Sequence, residues 1–150
     1  MTIRGCTMAE TNISIEIGGR RQVVSTLKGV SDRSKNMMTP LRKSADVVMS
    51  SIRKNFSTAG SLFQKPWQAR RMVYSWPILN KTGAMKGGFL ATVTNSAATI
   101  SNRDPKFKYH QSSAPRRRLP RREMLGYTGE DIRQISLIIG QYIVRGTTNG

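Results

Sequence analysis

The sequence predicts an α+β fold, with a small antiparallel sheet packed against a long N-terminal helix and a C-terminal helix and long loops between them. Three observations predict it. Apolar residues recur at three- and four-residue steps over 20–56 and again over 129–145, the period of an amphipathic helix. Between and before those stretches, short runs alternate apolar and polar residues, the period of a half-buried strand. The chain has 150 residues, room for one domain. We expect a flexible leader over 1–11, a single domain over 12–146 and a flexible tail over 147–150. The pattern starts only after Met8, so Met1 and Met8 are both candidate starts.

In order along the chain, Ile13, Ile15 and Ile17 alternate with Asn12, Ser14 and Glu16, which predicts a strand closed by the turn residues Gly18-Gly19. Val23, Val24, Leu27 and Val30 then take up helical spacing. Ser31 or Asp32 is positioned to cap a new helix. From Met37 to Phe56 one apolar stripe follows, through Leu41, Ala45, Val48, Met49 and Ile52. Pro40 marks either its first turn or a kink. Residues 57–77 carry Gly60, Pro66 and Pro77 and read as a long irregular connection, with a short helical turn expected over Pro77–Lys81. Phe89–Asn95 and Ala97–Asn102 alternate around Asn95-Ser96 and predict a hairpin. Asp104–His110 reads as a connector and Glu123–Tyr127 as a short strand. Thr128 and Asp131 form a capping box with Asp as its acid, opening a last helix that Gly146 stops.

Charge is the strongest compositional feature. The 25 Lys and Arg stand against 8 Asp and Glu, a net charge of +17. A free monomer of that charge repels itself and adheres to polyanions, so a neutralising partner is implied. Five arginines, Arg116, Arg117, Arg118, Arg121 and Arg122, fall within one eight-residue stretch with Pro115 and Pro120. The prolines forbid a regular helix or a central strand there and predict an exposed loop. A guanidinium fork suits phosphate and carboxylate equally, so this loop is a candidate contact for DNA or for an acidic protein surface. Upstream, Trp67, Arg70, Arg71, Tyr74 and Trp76 interleave aromatic and basic residues. They suit base stacking, or pinning of the loop to the core or to a neighbouring subunit.

Other classes lose ground on the same page. No run approaches the roughly 18 apolar residues of a membrane span. The single Cys6 and the single His110 exclude an internal disulfide, a Cys-based zinc site and a His-rich metal centre, and no phosphate-cradling glycine loop is present. No cofactor is expected. The carboxylates are scattered, so we expect no enzyme. A pocket gathering Asp104, Glu123 and His110 would reopen that expectation.

The order of segments completes the reading. Ser51-Ile52-Arg53-Lys54-Asn55-Phe56 ends the long helix, and Pro66-Trp67 follows. Then come Ile78-Leu79-Asn80-Lys81-Thr82-Gly83-Ala84-Met85-Lys86, His110-Gln111, and Pro120-Arg121-Arg122-Glu123-Met124-Leu125-Gly126-Tyr127, before Thr128-Gly129-Glu130-Asp131-Ile132 and the final helix. This ordered set, over about 12–145, resembles the tailed-phage virion morphogenesis family, related to tail-completion proteins. The family's segments read I-L-x-x-T-G-x-L-R, H-Q-x-G and R-P-F-L-G-L-S-x-E-D. Here Ala84-Met85-Lys86 stands where x-Leu-Arg is usual, Ser112-Ser113 follows His-Gln, and Arg122-Glu123-Met124 precedes Leu125-Gly126.

The resemblance implies a structural virion protein at the head–tail junction, or neck. Such a protein forms a ring, commonly a hexamer, against neighbouring neck and tail proteins, with packaged double-stranded DNA in its channel and no membrane. It would reside in the virion and, during assembly, in the host cytoplasm. Thr82, Gly83, His110, Gln111, Leu125 and Gly126 carry the family pattern as structural residues. A tail terminator ring is the near alternative, and a free basic nucleic-acid-binding protein the more distant one.

Overall fold

The computed structural model describes residues 20–63, 65–113 and 119–148. The expected strand over 12–17 and Arg116, Arg117 and Arg118 lie outside them. The described residues form α1 (Arg20–Lys35), α2 (Met38–Ser57), α3 (Ala84–Gly87), β1 (Phe89–Val93), β2 (Ala98–Asn102), α4 (Phe107–Gln111) and α5 (Gly129–Arg145). The class is α+β.

Local chemistry accounts for most of these boundaries. The chain does not restart at Ser31 or Asp32, as the capping residues suggested. It runs helical to Lys35 and restarts at Met38 with no side-chain cap. The hairpin takes over that role, because the Met37 N–H donates to the Asn95 carbonyl at 3.0 Å. Pro40 is in the first turn of α2, where its missing N–H costs nothing. α5 starts on a complete capping box. Thr128 accepts from the Asp131 N–H, and Asp131 accepts from the Thr128 N–H at 2.6 Å. Gly146, left-handed at φ 76°, closes it.

β1 and β2 pair antiparallel, Phe89 opposite Asn102 and Val93 opposite Ala98. The hairpin and α5 both pack on α2. The core is centred on Ile52, Trp67, Met85, Phe89 and Met124, with Val48, Met49, Phe56, Phe63, Ile100 and Phe107 against it. Four rings run edge to face through it. Trp67 meets Phe56 at 5.2 Å, Phe56 meets Phe89 at 6.1 Å, and Phe89 meets Phe107 at 5.6 Å. Such edge contacts are each worth about 0.5–1.5 kcal/mol beyond area burial.

Three further expectations need correction. Pro77–Lys81 is no helix: the Asn80 N–H bonds the Pro77 carbonyl in a single turn, and Leu79 sits at φ 59°. The 104–110 connector turns helical at Phe107 and runs into α4. Glu123–Tyr127 forms no strand, because side chains take the ladder's place. Gln111 accepts from the N–H groups of Met124 at 2.9 Å and Leu125 at 3.1 Å, and donates to the Leu125 carbonyl at 2.7 Å. Asn55 and the Trp67 indole both donate to the Glu123 carbonyl.

Candidate functional site

The turn-rich segment 57–82 folds back on itself through one arginine. Arg70 donates to the Trp76 carbonyl at 3.0 Å and to the Pro77 carbonyl. Its guanidinium lies 5.4 Å from the Tyr74 ring centroid and 5.9 Å from that of Trp76. Tyr74 and Trp76 stack on each other at 4.7 Å, and Lys81 sits 4.9 Å from the Trp76 ring. Cations on ring faces are stabilised by the ring quadrupole. An interleaved aromatic and basic sequence therefore becomes a self-clasped loop whose rings are already faced by cations.

This loop walls a cleft of about 320 Å³. Four cations border it, Arg70, Lys81, Lys106 and Arg122, with Asp104 as its carboxylate and Ile78, Leu79 and Met85 as apolar lining. Thr82 and His110 also face it. Asp104 accepts from the Lys106 N–H at 2.9 Å, and no ion pair joins it to any of the four cations.

Arg122 is the unusual member. It is 6% exposed, among the most buried charged side chains described. Its Nε and Nη2 both donate to the Gln68 carbonyl, at 3.2 and 3.0 Å, and its own N–H donates to the His110 carbonyl. Burial lowers its pKa from the ordinary value, and the charge of Arg70 lowers it further. Arginine nevertheless stays protonated at neutral pH. The cleft thus holds a desolvated cation beside a second cation, with no carboxylate of the described residues bound to either.

The predicted residues divide accordingly. Arg121 is exposed and pairs with Glu123 at 3.3 Å. Arg122, expected in an exposed loop, is buried instead, because its guanidinium finds the Gln68 carbonyl. Trp67, expected in a contact loop, is a core residue at 7% exposure with its indole N–H satisfied. Arg70, Tyr74 and Trp76 meet at the cleft, while Arg71 is exposed. Gly83 is left-handed at the start of α3, and Thr82 accepts from the Ala84 N–H at 3.4 Å. Gln111 joins directly to Leu125, linking two of the family-like segments. At Gly126 a Cβ would come 3.1 Å from the Phe63 ring.

Asp104 and His110 share the cleft, whereas Glu123 lies with Arg121 beside Trp67. Among the described residues no group of three His, Cys, Asp or Glu is arranged to hold a metal, and no helix is long and apolar enough to cross a membrane. Lys81 and Lys106 were missed as site residues. Their only sequence signal is closeness to Trp76 and Asp104, which periodicity does not register.

Comparison with known proteins finds no match to this chain among protein-family models, curated proteins or solved structures.

Proposed function

We propose that the chain is a structural virion protein of a tailed bacteriophage, forming a homo-oligomeric ring at the head–tail junction that completes the tail or joins it to the head. It works by binding, without catalysis or a cofactor. Its partners are copies of itself, the neck and tail proteins above and below, and double-stranded DNA in the channel. It assembles in the host cytoplasm and ends in the virion.

The observation that carries this reading is the order of sequence segments, which resembles that of the tail-completion family. Two further features support it. Large apolar residues stand exposed on α1 and α5, namely Val23, Val24 and Leu27 and Ile132, Leu137 and Val144, and the described residues do not bury them. The net charge of +17 would give a hexamer about a hundred uncompensated charges, which DNA or acidic neighbouring rings would neutralise. Head-to-tail contacts that close on themselves produce such rings.

The direct test is deletion of the gene from a producing phage, followed by electron microscopy. The reading predicts heads and tails that fail to join, and a density ring at the neck of normal particles. Normal virions without the protein would refute it. A ring capping the tail tube before joining would point to a terminator, and the neighbouring density tells the two apart. The charge alone favours a second reading, a free nucleic-acid-binding protein. Submicromolar, salt-sensitive binding of duplex DNA by a monomer in a gel shift is its signature.

A further inference from the structure

We propose that the cleft between the 70–82 loop and Arg122 is a socket for the carboxylate of an acidic side chain projected by a neighbouring protein. Arg122 supplies the fixed element. Two of its N–H groups are tied to the Gln68 carbonyl, which locks the plane of the guanidinium. Nη1 makes no hydrogen bond to a described residue, and it is not among the sealed polar atoms. Arg122 itself is part of the cleft wall. Arg70 stands beside it, close enough for its charge to be felt by Arg122. Lys81 and Lys106 add two cations at the border, against the single Asp104.

A buried cation without a counter-ion is costly, and an arriving anion that bonds to it removes that cost. An arginine fork also matches the planar carboxylate well.

The shape of the cleft selects the carrier. Duplex phosphates lie on the outside of a wide, stiff rod, whereas Arg122 is recessed at 6% exposure. A slender side chain reaches it and a duplex backbone does not. The cleft, at about 320 Å³, is larger than a small inorganic anion needs, and Ile78, Leu79 and Met85 give it an apolar lining. That combination suits a carboxylate flanked by an aliphatic neighbour. The rings of Tyr74 and Trp76 already carry Arg70 and Lys81 on their faces, which leaves less room for base stacking. The inference stands apart from the ring reading, since the socket works for any acidic protein neighbour.

The test uses the full chain, labelled with ¹⁵N, and follows the arginine Nε–H and tryptophan indole signals. The probe is the peptide acetyl-Leu-Glu-Asp-Leu-amide, compared with its Leu-Gln-Asn-Leu counterpart, with inorganic phosphate and with a short DNA duplex. The acidic peptide is expected to shift Arg122 Nε–H and the Trp76 indole saturably, with the amide counterpart causing no shift. Lys81→Met, at an exposed residue, should weaken the peptide about two- to fivefold. Arg122→Gln should weaken it about thirtyfold or more. If Arg122→Gln perturbs the fold, Lys81→Met still decides the matter. Equal shifts from both peptides, stronger shifts from phosphate or duplex, or no shift at either signal would each overturn the proposal.

Discussion

α1 and α2 are adjacent helices with the same kind of apolar stripe, and their stripes meet different fates. In α2, Ala45 and Ile52 are buried, and Val48, Met49 and Phe56 pack on the core. In α1, Val23, Val24 and Leu27 remain 58, 56 and 62% exposed. α1 reaches the domain chiefly through its last turns, where Arg33 donates to the carbonyls of Ile143 and Val144, and near the α1–α2 junction, where Tyr142 donates to the Asn36 carbonyl. Helical periodicity therefore predicts the helix correctly in both cases and says nothing about which molecule covers the stripe. A stripe buried within the chain stabilises the monomer, and one left in solvent is available to a neighbour.

The contrast can be broken by mutation. Ile52→Ala or Met124→Ala removes a fully buried side chain and should cost about 2–5 kcal/mol in urea unfolding, whereas Leu27→Ala should stay within about 0.5 kcal/mol for the monomer. A comparable loss at Leu27 would mean that α1 is part of the folded core.

Asp131→Ala comes next. The carboxylate accepts from the Ser51 hydroxyl at 2.6 Å and from the Thr128 N–H, so its loss uncaps α5 and leaves a buried hydroxyl without its acceptor. About 1–3 kcal/mol is expected by thermal or urea denaturation. The same group sets an acid limb. Burial raises its pKa, but the hydrogen bonds from Ser51 and Thr128 and the nearby Lys54 outweigh burial and hold it below the ordinary carboxylate value. A depressed folded pKa contributes stability that is complete above about pH 4 and is lost as pH falls through the folded value. Unfolding curves measured down that range should lose stability in the wild type more steeply than in Asp131→Asn.

A smaller effect belongs to Arg33→Met. It removes two donors from the last carbonyls of α5 and a positive charge from the negative end of its dipole. About 1 kcal/mol is expected, read as a lowered Tm and as faster amide exchange in the last turn of α5.

Elements governed by local chemistry were legible in the sequence. The hairpin around Asn95-Ser96, the capping box at Thr128 and Asp131 and the stop at Gly146 all stand where their residues predicted. Elements held by distant partners were not. The restart of α2 depends on the Asn95 carbonyl, and the run 123–125 is held by Gln111, Asn55 and Trp67, none of which lies nearby in the chain. The cleft was legible only in pieces. Arg70, Tyr74 and Trp76 were singled out together, and His110 and Arg122 each for another reason. Their meeting depends on the Gln68 carbonyl capturing Arg122, a backbone contact that leaves no mark on residue type. Trp67 left two readings open, because an aromatic in a polar loop reads the same whether it pins the core or meets a neighbour, and the structure selects the core.

The central claim is that the exposed α1 stripe belongs to an assembly of identical chains. Native mass spectrometry of the full chain, paired with Val24→Asp/Leu27→Asp, tests it most directly. The account predicts a closed oligomer for the wild type and a monomer of unchanged Tm for the double variant. A wild type that stays monomeric at every concentration tested, or a double variant that assembles as the wild type does, would contradict it.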